Sequence, residues 1–206
     1  MREKPLKLGV LLSGGGRTLM NLQRRIDEGT LPARVAVVVA SRPCRGLEWA
    51  RQAGLNAHLV PYKTTPPSQY SNAITALLDQ AGVDTVVMAG FLSMWHIPPA
   101  YEGKVINIHP SLLPSFGGKG MFGHHVHQAV LRRGCKVSGC TVHVVTNEYD
   151  QGPILVQKAV PVLEEDTPDT LAARVFEQET IALPEALQRL AEGRVSVADG
   201  VARIRQ

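Results

Sequence analysis

Five short runs dominated by Val, Leu, Ile and Ala punctuate the first half of the chain, at residues 6–12, 35–40, 57–61, 85–88 and 105–108. Each is almost wholly apolar. A strand apolar on both sides must be covered on both, so these runs predict a parallel sheet between two helical layers. The intervening segments 18–28, 47–53, 69–81 and 93–101 place polar residues at helical spacing with small or apolar residues opposite, and Thr18 stands where it could cap the first. The predicted class is α/β: a three-layer, Rossmann-like, mostly parallel sheet with helices on both faces.

Past residue 108 the rhythm changes. Pro110, Pro114, Gly117, Gly118, Gly120 and Gly123 exclude a regular element and predict a long loop, a feature that is usually functional inside a compact domain. A helix over 125–133 then leads to strands over 136–145 and 154–162, whose partly alternating polarity suits an antiparallel C-terminal addition to the sheet. A long helix over 167–192 should kink or restart at Pro184. Asp199-Gly200 between apolar alternations over 195–204 signals a hairpin. With no repeat, linker or low-complexity stretch, residues 1–206 read as a single domain.

Composition narrows the function classes. The chain has 206 residues, 44% hydrophobic and 19% charged, enough for a sizeable core and unlike a disordered, collagenous or disulfide-built protein. Cys44, Cys135 and Cys140 are odd in number and lack C-x-x-C spacing, which suits a reducing compartment; Cys135 and Cys140 read as buried small apolar residues. The charged start over 1–7 and the break at Ser13 do not match a signal peptide, and no run approaches the roughly 20 apolar residues of a membrane span. The expected setting is therefore the cytoplasm, without a membrane partner. The net charge of +4 comes from basic residues scattered singly or in pairs, with no basic stripe or aromatic platform, so nucleic acid is not an expected partner. Small anionic ligands fit better.

Two segments carry candidate chemistry. Ser13-Gly14-Gly15-Gly16-Arg17-Thr18 joins the first strand to the first helix, where converging N–H groups and the helix dipole suit a phosphate. Leu19 occupies the place of the third glycine of the dinucleotide fingerprint, and no Gly-Lys-Ser/Thr follows, so neither familiar nucleotide motif is complete. A plain tight turn is the ordinary alternative. The second segment, Asn107-Ile108-His109-Pro110-Ser111-Leu112-Leu113-Pro114, leaves the fifth strand at its carboxyl end, where ligands of open parallel sheets bind. Residues two apart on a strand share a face, so the Asn107 amide and the His109 imidazole could act together, one donating to a carbonyl oxygen as it gains charge and the other moving a proton. That pairing suits acyl transfer, although a structural histidine beside proline is common. No Gly-x-Ser-x-Gly elbow or flanked cysteine offers a covalent route, which leaves direct attack by a bound amine. A carboxylate to orient the imidazole could come from Glu148 or Asp150, and spacing does not choose between them. His124, His125 and His127 lack the spacing and acidic partner of a metal set, so no metal is expected.

At these residues the chain resembles the glycinamide ribonucleotide formyltransferases, folate-dependent enzymes of purine synthesis. The likeness runs from about Leu8 through the last hairpin, and its most specific elements are Ala89-Gly90-Phe91, the Asn107 to Pro114 block, Val142-His143 and the Asp150-x-Gly152-Pro153 turn. It implies a catalytic set of Asn107, His109 and Asp150, and so selects Asp150 over Glu148. It also implies a ribonucleotide site at Gly15, Gly16, Arg17, Thr18, Pro110 and Glu179. The folate site would comprise Leu92, Ser93, Met94 and Trp95, then Asn107, Thr146, Asn147, Glu148, Tyr149 and Asp150. The implied ligands are glycinamide ribonucleotide and 10-formyltetrahydrofolate, with no metal, in a monomer or homodimer. There are departures. Arg17-Thr18 replace a usual Ser-Asn pair, Ser93 stands where many members carry arginine, and Pro67 stands near another basic position used for the folate tail. Gly118-Lys119-Gly120-Met121-Phe122-Gly123 lengthens the loop before the histidines, as a lid or an altered acceptor site would. Methionyl-tRNA formyltransferase and formyltetrahydrofolate hydrolase share the Asn-x-His block but are expected to need a further domain. A nucleotide-sugar formyltransferase and a non-catalytic nucleotide-phosphate module are the other readings.

Overall fold

The computed structural model describes residues 5–205; Met1 to Lys4, which the reading of the N-terminus covers in part, and Gln206 lie outside the described residues. The elements in order are β1 (Leu6–Leu12), α1 (Arg17–Asp27), β2 (Ala33–Ala40), α2 (Arg45–Gln52), β3 (Ala57–Leu59), α3 (Pro67–Gln80), β4 (Thr85–Met88) and β5 (Val105–His109). They continue as α4 (His124–Arg132), β6 (Val137–Val144), β7 (Ile154–Pro161), α5 (Pro168–Ala191), β8 (Val195–Ala198) and β9 (Val201–Ile204). Seven strands form one sheet in the order β3, β2, β1, β4, β5, β6, β7. The β1–β2, β1–β4 and β2–β3 pairs are parallel and β6–β7 is antiparallel. Strand order reverses between β1 and β4; because parallel crossovers are almost always right-handed, this order calls for α1 and α2 on one face and α3 on the other, the three-layer α/β arrangement.

The chain divides into two compact units, one ending at Ile106 and the other beginning at Asn107. In the first, Leu8, Val10, Leu11 and Leu12 of β1 and Val37, Val38 and Val39 of β2 are wholly buried, as strands covered on both faces require. In the second, α5 lies on β6 and β7 and buries Leu171, Val175, Ala182, Leu183, Ala186 and Leu187. This packing outweighs the roughly 3 kcal/mol a proline costs inside a helix. Pro184 is buried within a single 24-residue helix, so the expected restart does not occur. A Thr167–Thr170 capping box and Pro168 in the first turn start α5.

Three other readings are corrected. Residues 93–101 form no α-helix: Pro98 and Pro99 forbid one, the N–H groups of Leu92 and His96 donate to the Ser13 and Ser71 hydroxyls, and a single 3₁₀ turn, Pro99–Tyr101, remains. Thr18 lies inside α1, whose N-cap is Gly16 at φ 78°. Cys140 is buried but Cys135, in the turn after Gly134, is only half-buried. The β8–β9 hairpin turns on Asp199 and Gly200 at φ 53° and 74°, the left-handed pair that such turns demand. Among the described residues no helix is long and apolar enough to cross a membrane.

Candidate active site

In the second unit, Asn107 and His109 leave β5 on the same side, the first half-buried and the second 4% exposed. His109 Nε2 lies 2.9 Å from the Phe116 carbonyl oxygen, an acceptor only, so Nε2 carries a hydrogen. Its Nδ1 lies 3.7 Å from Asp150 Oδ2, too far for a direct hydrogen bond and close enough to act by charge. Asp150 Oδ2 also accepts the Gly118 N–H at 2.8 Å, which fixes the carboxylate. Glu148, the alternative carboxylate, is exposed.

A residue to which sequence spacing assigned no role completes the arrangement. His143, on β6, is 1% exposed, and its Nδ1–H donates to the Val144 carbonyl at 3.0 Å. Burial lowers its pKa and keeps the ring neutral, so its Nε2 accepts the Asn107 Nδ2–H at 3.1 Å. The tautomer of one buried histidine thereby decides which way the Asn107 amide points. A second Nδ2 hydrogen remains to donate elsewhere. His143 Nε2 is also 3.6 Å from Asp150 Oδ1, so this carboxylate stands between two imidazoles.

The loop that presents His109 is tied down by β6 and β7. Thr141 Oγ1 donates to the Ser111 carbonyl at 2.7 Å and accepts the Leu113 N–H at 3.0 Å, while Gln157 Nε2 donates to the Leu113 carbonyl at 2.9 Å. Phe116 and Asp150 both take left-handed backbone, at φ 56° and 55°. Such conformations cost of order 1–3 kcal/mol in a non-glycine residue, and here they present the Phe116 carbonyl and the Asp150 carboxylate to His109. A Cβ on Gly117 would meet Leu113 Cδ2 at 2.5 Å, the tip of a side chain that would have to shift, and Asp150 Cβ at 3.3 Å.

The histidine cluster disperses. His124 pairs with Asp169 on the surface at 3.2 Å, and His125 packs edge-on against Phe122. His127 is buried with Nδ1 unpartnered, and burial, reinforced by His124 and His109, pushes its pKa down to about 4. No group of three metal-ligating side chains occurs among the described residues. Pro110 and Glu179 are half-buried, and Glu179 lies near enough to Cys140 to add to the effect of burial, which raises that thiol to about 12. Thr146, Asn147, Glu148 and Tyr149 form an exposed turn closed by the Glu148 N–H on Thr146 Oγ1 at 3.2 Å.

In the first unit the glycine loop closes through backbone. Gly46 N–H donates to the Gly14 carbonyl at 3.0 Å, and a Cβ on Gly16 would lie 2.6 Å from Gly46 Cα, so Gly46, to which the sequence reading gave no part, shapes this turn. No side chain caps α1, and Gly14 and Gly15 face open space. The first N–H groups of α1 therefore suit an anion, and Arg17 and Thr18 stand in its first turn. Leu92, Ser93 and Met94 follow β4 with their backbone outside any helix, whereas the Trp95 side chain is 2% exposed and belongs to the core, its Nε1–H on Thr75 Oγ1 at 3.3 Å.

The formyl transferase family model matches residues 6–187, most of the chain. The protein belongs to the formyl transferase family. This formyl transferase is 34% identical to the phosphoribosylglycinamide formyltransferase of Escherichia coli over 96% of its own length and 92% of that protein. It is 38% identical to the chloroplastic phosphoribosylglycinamide formyltransferase of Arabidopsis thaliana over 92% of its own length, and spans 66%, just under two thirds, of that relative. The crystal structure of glycinamide ribonucleotide transformylase 1 from Symbiobacterium toebii superposes with a TM-score of 0.92 at 38% identity, covering 100% of this chain and 96% of that one.

Proposed function

We propose that this formyl transferase acts as a single catalytic domain in the cytoplasm, moving the formyl group of 10-formyltetrahydrofolate to the amine of glycinamide ribonucleotide in de novo purine synthesis. The observation that carries the reading is the Asn107 amide, aimed by neutral His143, beside a His109 imidazole backed by Asp150. The amine attacks the formyl carbon directly. As the carbonyl oxygen gains charge, an Asn107 N–H and protonated His109 stabilise it, and Asp150 balances the imidazolium. Collapse of the tetrahedral intermediate breaks the bond to the folate nitrogen, which takes up the proton the amine gives away. Gly15, Gly16, Arg17 and Thr18 hold the ribonucleotide phosphate, with Pro110 and Glu179 toward its glycinamide end. Leu92, Ser93, Met94 and Trp95 offer backbone to the pterin, as do Thr146, Asn147, Glu148 and Tyr149.

The test supplies purified protein with 10-formyltetrahydrofolate and a panel of amine acceptors, following the absorbance of the deformylated folate. Turnover that requires glycinamide ribonucleotide is the expected result. Turnover without acceptor would make the protein a hydrolase, turnover with a nucleotide-sugar amine alone would reassign the acceptor, and binding without turnover would leave a phosphate-binding module.

A further inference from the structure

The turn that supplies Asp150 ends in Gly152 and Pro153, and the glycine is buried against the end of β6. Gly152 does not take left-handed backbone, so φ is not what demands a glycine there. Space demands it. A Cβ built on Gly152 would overlap the Val144 carbonyl oxygen and lie 2.8 Å from the Val144 carbonyl carbon. Both atoms are backbone, held where the Val144 N–H donates to the Pro153 carbonyl at 2.9 Å, so no side-chain rotation relieves the conflict. β6 and β7 also slip in register here, from Val142 opposite Val156 to His143 opposite Ile154, an irregularity of the kind that re-aims side chains beside active sites.

The Val144 carbonyl oxygen is the acceptor that holds the hydrogen of His143 on Nδ1, at 3.0 Å. A neutral imidazole carries one such hydrogen, and the bond made at one nitrogen decides what the other can do. With Nδ1–H on Val144, Nε2 is bare and accepts from Asn107 Nδ2 at 3.1 Å. Were that carbonyl pushed aside, the hydrogen could move to Nε2, where it would meet the Asn107 N–H donor to donor. The amide would then turn over to offer Oδ1, and a lone pair would stand where formyl transfer needs an N–H. An Nε2–H would also have Asp150 Oδ1 3.6 Å away to draw that carboxylate from His109. We propose that Gly152 is a positioning residue for formyl transfer: the space it leaves lets the Val144 carbonyl fix the His143 tautomer and, through it, the Asn107 amide. This rests on the reaction proposed in the preceding section. It gives the Asp150-x-Gly152-Pro153 turn one task at each end, a carboxylate for His109 and clear space behind His143.

The experiment reads kcat, KM, Tm and the imidazole nitrogen NMR spectrum in the wild type, Gly152→Ala, His143→Gln and the double variant. His143 should carry its hydrogen on Nδ1 in the wild type and on Nε2 in Gly152→Ala. Gly152→Ala should lower kcat roughly 10²-fold, as loss of one oxyanion donor does, with KM for the ribonucleotide nearly unchanged. Its Tm should fall too, as it would for a glycine that served the fold alone. The double variant separates the two roles. The glutamine of His143→Gln has no tautomer to lose, so adding Gly152→Ala to it should lower Tm again but kcat no further. A second, independent fall in kcat, or a His143 that keeps Nδ1–H in Gly152→Ala, overturns the assignment. Should Gly152→Ala fail to fold, the wild-type spectrum decides: a hydrogen on Nδ1 upholds the assignment and one on Nε2 overturns it. Should no acceptor be turned over, the proposed formyl transfer falls, and the spectra still decide whether Gly152 sets the tautomer.

Discussion

The turn after β1 and the loop after β5 both leave the carboxyl end of a sheet strand, and they are built from different materials. Around Gly16 and Gly46, backbone approaches backbone so closely that neither position has room for a Cβ, and the open sides of Gly14 and Gly15 carry no side chain that could react. Around His109, side chains decide everything: Thr141 and Gln157 pin the loop, His143 sets an amide, and Phe116 and Asp150 hold strained backbone. The first is a cradle that can hold charge and nothing more. The second can also move a proton, and that difference predicts where mutation should cost turnover and where it should cost affinity or stability.

The largest effect belongs to the side-chain site. His109→Ala should lower kcat by roughly 10²–10⁴-fold and Asn107→Ala by roughly 10²–10³-fold, with KM for the ribonucleotide nearly unchanged. Steady-state kinetics on both variants reads this directly. A rise in KM with kcat intact would reverse the comparison, leaving the loop after β5 as a binding surface.

Acid should find the same region and spare the glycine turn. His127 titrates near 6.5 when unfolded and near 4 when folded, so between those values only the unfolded chain takes up the proton. Its contribution to stability is complete above the upper value, declines as pH falls through the window and is gone below the lower one, a loss of about 3 kcal/mol across it. His127→Gln should flatten the decline in urea midpoint between pH 7 and pH 4. An unchanged acid slope would show that His127 is not held neutral by its surroundings.

The two regions also differ in how readable they were. The bounds of β1 and β4 follow from apolar runs alone, because a strand buried on both faces leaves little else for its sequence to be. The Asn107 and His109 pair was legible because strand alternation puts both on one face. His143 was not, since a histidine within an apolar strand looks structural until the Val144 carbonyl fixes its tautomer. Gly46 could not be read either: its role is a close approach to a turn far away in sequence. Helical spacing misled at 93–101, where the Ser71 hydroxyl takes the His96 N–H that a helix would use and Pro98 and Pro99 offer none. At Pro184 only the expected restart fails, because burial of α5 outweighs a local rule.

The smallest and most discriminating effects separate two adjacent glycines. Gly16 lies at φ 78°, where a side chain costs about 1–2 kcal/mol, and its Cβ would meet Gly46 Cα at 2.6 Å, backbone that cannot swing aside. Gly16→Ala should therefore destabilise by about 2 kcal/mol or more and lower Tm. Gly15 meets nothing within 4 Å and has no left-handed backbone, so Gly15→Ala should leave Tm unchanged. Its methyl group would project where a phosphate approaches the loop, so KM for the ribonucleotide should rise several-fold while kcat holds. If both Tm and KM are untouched in Gly15→Ala, the loop is only a turn, and the difference between the two regions reduces to one of chemistry present and chemistry absent.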